Sequence, residues 1–268
     1  MNLNGYLQKL NTSARWRLFN PKIPVIRRFD GELSRLGSSY GGKTAATSLL
    51  DDNSVVISAG AGEDLSFEIE LEVRSECQMY ILDPTPAAIA HYEEISRKGN
   101  AARILSYLQG PRQSIDAYDT QNLEFSKIKF IAKALWESES ELRFYPPLND
   151  QRDGSYSLSS LQNNYRKNSE FMVVTSTTIP ILIDEEKLNN VDFLKLDIEG
   201  AALEVLRETF SKKIFPTQIN LELDEMHFPG PKSYFRSWRL NRILHSNGYE
   251  CIHRENCDFL FIRKNRAE

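Results

Sequence analysis

The chain predicts an α/β fold on a mostly parallel sheet, and two observations carry that prediction. Short apolar runs alternate with helical spacing along residues 55–99 and again along 191–206. That is the order of strand–helix–strand units, which build parallel sheets. The runs also stop on glycines or carboxylates, the residue types that open α/β sheets gather at the carboxyl edge where ligands bind.

The composition permits such a fold. Of 268 residues, 41% are hydrophobic and 26% charged, an ordinary globular balance with material for a sizeable core. The formal charge of −4, from 33 basic and 37 acidic side chains, gives no general drive toward nucleic acid or anionic membrane. Three cysteines, Cys77, Cys251 and Cys257, form neither a disulfide framework nor a Cys-x-x-Cys pair. Reduced thiols in a cytoplasmic protein are the expectation. No apolar run reaches the roughly 20 residues of a membrane span. The leading residues lack the apolar core of a signal peptide.

Residues 1–50 read as an irregular and helical extension or cap, broken at Pro21 and Pro24. Residues 51–268 read as one domain. Val55-Val56-Ile57 is its first strand, halting at Gly60 and Gly62, with a helix through Phe67, Ile69, Leu71 and Val73. Met79 to Leu82 is the next strand and ends at Asp83-Pro84; Thr85 as cap and Pro86 then open a helix that closes near Gly99. Lys127 to Leu135 and Leu142 to Tyr145 read as strands flanking a polar turn, with Trp136 packing at the strand end. Residues 146–166 read as a surface loop. Phe171 to Thr178 is a strand, Pro180 to Leu188 a short helix, and Val191 starts a buried strand leading to Asp197, Glu199 and Gly200. Ile219 to Leu223 is a strand. Tyr234 to Ser246 is a helix with Phe235, Trp238, Ile243 and Leu244 inward, and Tyr249 to Ile262 a hairpin.

Three constellations carry chemistry. Glycines let a turn bend sharply and a ligand approach closely, so Gly60 and Gly62 are one candidate, with a plain structural turn as the alternative. The third glycine of a dinucleotide fingerprint and the Lys-Ser/Thr of a phosphate loop are both missing. Asp83, some twenty residues on, stands where an acid accepts from both ribose hydroxyls. A turn or capping role is the alternative. The third is an acidic edge. Along extended strands Lys195, Asp197 and Glu199 share a face, as do Glu222 and Asp224, with His227 just beyond. Neighbouring strands would gather four carboxylates there, a setting for acid/base work or for a divalent metal. Lys195 is expected to pair with Asp197 or Glu222. His91 and His253 lack ligand spacing and read as structural.

With these residues placed, the chain resembles the FkbM-type S-adenosylmethionine-dependent methyltransferases. Thr177-Thr178-Ile179-Pro180 and Val191 through Gly200 are similar to that family's most recognisable segments. Tyr40-Gly41-Gly42, Ser58 through Phe67 and Asp83-Pro84-Thr85-Pro86 are similar to a branch with an Asp-Pro-Thr-Pro motif. Two positions depart from the pattern: Lys43 stands where the branch often has an aromatic, and Ala202 where a glutamate is frequent.

The resemblance implies a Rossmann-like class I methyltransferase, with a seven-stranded, mostly parallel sheet, an antiparallel last strand and helices on both faces. It implies S-adenosyl-L-methionine as cofactor and S-adenosyl-L-homocysteine as product. Tyr40, Gly41, Ser58, Gly60, Gly62, Glu63, Asp64, Asp83, Pro84, Thr85, Ala134, Leu135 and Asp197 are then the expected cofactor contacts. Asp197, Glu199 and His227 are the expected catalytic set, with no metal. The acceptor is expected to be a hydroxyl on a sugar, glycan or small natural product, with no nucleic-acid partner and a homo-oligomer admissible. Two alternatives stay open at this point: metal-assisted hydrolysis by the carboxylate cluster, and a non-catalytic nucleoside-binding partner subunit.

Overall fold

A computed structural model describes residues 12–20, 22–26, 28–145, 171–226 and 229–264. Helix α1 (Thr12–Phe19) precedes a hairpin of β1 (Ser34–Leu36) and β2 (Lys43–Ala45). Then follow β3 (Val55–Ala59), α2 (Ser66–Ser75), β4 (Gln78–Leu82), α3 (Pro86–Lys98) and β5 (Ile128–Ile131). β6 (Ala134–Leu135), β7 (Glu141–Phe144) and β8 (Met172–Thr177) form a small sheet of their own. The chain continues as α4 (Ile179–Glu186), β9 (Phe193–Leu196), α5 (Ala202–Ser211) and β10 (Gln218–Glu222). It ends with α6 (Pro231–Ser246), β11 (Tyr249–Glu255) and β12 (Asp258–Arg263).

The large sheet has seven strands in the order β11-β12-β10-β9-β3-β4-β5. Neighbours from β10 to β5 run parallel, and β12 is antiparallel to both β10 and β11. The expected Rossmann-like sheet with its antiparallel last strand is therefore present. β3 lies in the middle. The chain first builds outward from it to β5, then crosses to β9 on its other side. The gap between β3 and β9 is thus the topological switch point, where loops from the two halves diverge and leave a crevice.

Alternate residues of the strands face two cores, as the pleat requires. Ile57, Ala59, Leu194 and Leu196 pack with Leu203 and Leu206 of α5 and Leu240 and Leu244 of α6. Val56, Met79, Ile81 and Phe193 pack with Phe67 and Leu71 of α2 and Ile95 of α3. All positions of β3 and β9 are buried, the reason their sequences are apolar apart from Ser58 and Lys195. The Thr85 hydroxyl caps α3 and the Thr178 hydroxyl caps α4, each with proline in the first turn. No described helix is long and apolar enough to cross a membrane.

Three readings of the sequence change. The lead-in contains the β1–β2 hairpin, which the sheet itself secures. The Gln218 side chain accepts from the Ala46 amide at 2.9 Å and donates to its carbonyl at 3.1 Å, and Asn220 Nδ2 donates to the Thr44 carbonyl at 3.1 Å. The expected strand from Lys127 to Leu135 is broken, because a turn returns the Lys133 amide to the Ile131 carbonyl. Ala134 and Leu135 then pair with β8. Finally, α6 buries Ser233, Ser237, Leu240 and Leu244, while Phe235 is 60% and Trp238 44% exposed. Two serines on the inward stripe hid that face from a hydrophobicity count.

Where β3 ends, Gly60 turns at a φ of 83° and lies so near β9 that a Cβ there would stand 1.7 Å from the Asp197 carbonyl oxygen. Gly62 also has positive φ, 56°, but a Cβ there would meet nothing within 4 Å. The two glycines are therefore separable by unfolding. Gly60→Ala combines left-handed strain with backbone overlap and should cost about 3 kcal/mol or more. Gly62→Ala carries the strain alone, about 1 kcal/mol. Urea unfolding of the two variants checks the ranking.

Candidate functional site

Gly60, Asp83, Asp197 and Glu222 all sit where strands of the large sheet end, around the switch point. Asp83 ties that edge together. Its Oδ2 accepts from the amides of Ala61 at 3.1 Å and Gly62 at 2.9 Å. Its Oδ1 accepts from the Thr85 amide at 2.9 Å and the Thr85 hydroxyl at 2.6 Å. A carboxylate has about four acceptor positions, and here the two loops use all of them. Asp83 thus fixes the glycine turn against the start of α3, with Pro84 between.

Asp64 does the same for the outer wall. Its Oδ2 accepts from the Ser38 hydroxyl at 2.6 Å, the Gly41 amide at 3.2 Å and Gln113 Nε2 at 3.2 Å, and its Oδ1 from the Ser66 amide at 3.0 Å. The Tyr40 amide in turn donates to the Ser38 hydroxyl at 3.0 Å, so residues 38–41 fold over the turn. Glu63 pairs with Arg112 at 3.0 Å. Three further expected contact residues are buried. The buried Ser58 hydroxyl donates to Glu68 at 2.6 Å, and Ala134 and Leu135 are buried in β6.

The acidic edge assembles differently from the strand alternation. β9 stops at Leu196, so Asp197 lies just past it, and Glu199 turns at a φ of 48° ahead of Gly200 at 83°. Lys195 pairs with neither Asp197 nor Glu222. Its side chain lies on the α2 face of the sheet, where Nζ sits 2.9 Å from Glu68 Oε1 and donates to the Gly60 carbonyl at 2.9 Å. The cation among the acids is Lys43 of β2. Its ammonium lies 3.1 Å from Asp197 Oδ2, 2.8 Å from Glu222 Oε2 and 2.5 Å from Asp258 Oδ1. It occupies the centre a metal would take, and among the described residues no three His, Cys, Asp or Glu side chains are grouped to hold one. His227 and the side chain of Asp224 lie outside the described residues.

Burial pulls the Lys43 ammonium down, but Asp197, Glu222 and Asp258 outweigh it and hold its pKa well above the ordinary lysine range. For Asp197, burial and then the Glu222 charge push the carboxyl up to about 6, with Lys43 and Lys195 pulling the other way. Its side chain is nonetheless 28% exposed, so a ligand can reach it. His91 behaves as expected for a structural residue. It is buried, its Nε2 meets the Tyr118 hydroxyl at 2.7 Å, and burial lowers its pKa to about 4.

Next to this edge opens a cleft of about 360 Å³, lined by Trp136, Glu141, Arg143, Tyr145, Glu199 and Arg236 among others. Arg236 braces its floor. It donates to both Glu204 oxygens at 2.8 Å, to Glu225 at 3.0 Å and to the Gly200 carbonyl at 2.6 Å. Lys43, Asp258, Trp136 and Arg236 were not singled out as site residues from the sequence. The one signal for any of them was Lys43 in place of an aromatic after Tyr40-Gly41-Gly42.

The glycine turn offers bare backbone to open space at Gly62, with a buried acid at the end of the next strand. That suits a nucleoside cofactor at the switch point. The family model for the Methyltransferase FkbM domain matches residues 53–251. No curated protein matches the chain. Among solved structures it is similar to a precorrin-6y C5,15-methyltransferase from Geobacter metallireducens GS-15, at 12% identity and a TM-score of 0.41, covering 91% of this chain and 100% of that one. It is also similar to Aeropyrum pernix fibrillarin in complex with natively bound S-adenosyl-L-methionine, at 10% identity and a TM-score of 0.37, covering 90% and 84%. The chain belongs to the FkbM methyltransferase family, and S-adenosyl-L-methionine is its cofactor.

Arg236→Met should leave Glu204 and Glu225 without their cation and release the Gly200 carbonyl. The expected loss is about 2–3 kcal/mol, somewhat below a fully buried pair. Chemical denaturation at neutral pH measures it.

Proposed function

We propose that this methyltransferase acts on a hydroxyl of a sugar or small natural product, with Asp197 as the base that takes the hydroxyl proton. The observation that carries the reading is the cleft beside Asp197. It combines the aromatic rings of Trp136 and Tyr145 with Glu141, Arg143 and Glu199. A polyol has apolar ring faces and a hydroxylated rim, and such a lining complements both. On this reading residues 1–50 cap a catalytic domain of residues 51–268. The buried free thiols of Cys77, Cys251 and Cys257 accord with a cytoplasmic setting.

When bound, S-adenosyl-L-methionine supplies a sulfonium methyl, an electrophile needing no further activation. The chain's own residues then have two tasks, aligning the acceptor oxygen and removing its proton. Gly60 and Gly62 would lie against the methionine part of the cofactor and Asp83 at its ribose. Ala134 and Leu135 would flank the adenine, while Tyr40, Gly41, Ser58, Glu63, Asp64, Pro84 and Thr85 shape the surrounding walls. Because Asp83 already uses its acceptor positions, ribose recognition there would exchange at least one loop hydrogen bond for a hydroxyl. On this reading Asp197, two residues ahead of the cleft-lining Glu199, would stand between cofactor and acceptor. A carboxyl titrating near 6 is ionised at neutral pH and still a better base than an ordinary aspartate. Glu199 would orient the acceptor, and His227 is the second candidate for the base.

Incubating the full chain with S-adenosyl-L-methionine and a panel of monosaccharides, sugar nucleotides and phenols should release S-adenosyl-L-homocysteine with at least one hydroxyl acceptor. Cofactor binding with no transfer across the panel would favour a non-catalytic subunit. Asp197→Asn should lower turnover by about 10²–10⁴-fold, the ordinary contribution of a general base. S-adenosyl-L-homocysteine affinity by calorimetry should stay within a few-fold; unchanged turnover would sink the assignment. The sign of the pH dependence follows from the raised carboxyl. As pH falls through about 6, Asp197 takes a proton from solvent and cannot accept one from substrate. The kcat profile should therefore lose activity on that acid limb.

A further inference from the structure

Lys43 has no place in the proposal so far, and it lies outside the matched residues 53–251, as does Asp258. Its surroundings are built from far apart in the chain. Gln218 and Asn220 clamp β2 over β10, which delivers a side chain only 3% exposed to the carboxyl edge. There it meets one carboxylate from the end of β9, one from β10 and one from β12. Three carboxylates against one ammonium leave a formal charge of −2, so the lysine is what allows Asp197 to carry its charge beside Glu222 and Asp258.

We infer that Lys43 is a positioning residue for methyl transfer, fixing the Asp197 carboxylate and keeping it ionised so that the acceptor's hydroxyl proton can move onto it. The inference rests on the reading of Asp197 as base. Among the described residues, the charged groups acting on Asp197 are Glu222 from β10, Lys43 from β2, Lys195 from β9 and Asp258 from β12. Glu199 follows two residues on. Lys195 is committed to Glu68 of α2 and to the Gly60 carbonyl, which leaves Lys43 as the cation in direct contact with the Asp197 oxygen. Removing a cation at this distance and removing a neighbouring anion have opposite effects on a carboxyl. A lysine that only pinned β2 to the sheet, without acting on the Asp197 charge, would leave the Asp197 midpoint in place when it is replaced.

The experiment is a carbon-detected NMR titration of the Asp197 carboxyl in the full chain, with its signal assigned by its loss in Asp197→Asn. Lys43→Met should raise the midpoint by about 1–3 pH units, Lys43→Arg should hold it close to wild type, and Asp258→Asn should lower it. If Lys43→Met does not fold, Asp258→Asn and Lys43→Arg still carry the test. A midpoint that stays fixed in Asp258→Asn and, where it folds, in Lys43→Met overturns the inference. A midpoint that moves as stated, while Asp197→Asn retains methyl transfer to the best acceptor of the panel, overturns the base reading and leaves the control of Asp197 by Lys43 standing.

Discussion

A Cβ at position 60 would stand 1.7 Å from the Asp197 carbonyl oxygen, and the functional edge is arranged around that approach. Both residues follow central strands, β3 and β9, which are hydrogen-bonded neighbours up to Ala59 and Leu196. Past them the two loops must diverge to opposite faces. Gly60 allows the first loop to leave directly over the second, with the Asp197 amide still bonded to the Ala59 carbonyl at 3.0 Å. The glycine turn and the candidate base therefore share one backbone contact. A displacement of either loop is felt by the other, because packed backbone cannot absorb it.

Around that contact the structure uses carboxylates as ties. Asp83 binds the glycine turn to α3, Asp64 binds the 38–41 segment to the turn, and Glu68 binds Ser58 and Lys195. Asp83 and Asp64 are buried and satisfied by amides and hydroxyls, the condition under which buried polar groups specify geometry, while Glu68 holds both its partners through Oε1 alone. Asp197 differs from them. It is partly exposed, as Glu222 and Asp258 are, and all three face the charge of Lys43 rather than a ring of amides.

The legible parts of the molecule were local. Alternating strands and helices, the Thr85 cap, the glycine turn and Asp83 all declare themselves within some thirty residues, the span of one βαβ unit. What was not legible depends on distant contacts. Lys43 meets Glu222 across 179 positions and Asp258 across 215, and no local pattern encodes such a meeting. Lys195 was expected among the acids because strand alternation points it toward Asp197. The strand ends one residue too early for the shared face to hold, and α2 offers Glu68 on the other side. The inward serines of α6 illustrate the same limit: burial follows helix geometry, and hydropathy follows it only on average.

The ranks of β2, β10 and β12 around one ammonium also bear on biosynthesis. Chains emerge from the N-terminal end, and contacts of such high separation close late in folding. The Gly60 turn and Asp83 can settle as soon as the β3–β4 half has been made. The Lys43 cluster cannot, because its last carboxylate arrives only with β12. The ion cluster at Asp197 is thus completed only when the C-terminal strand has been made, which makes it one of the last features of the edge to form.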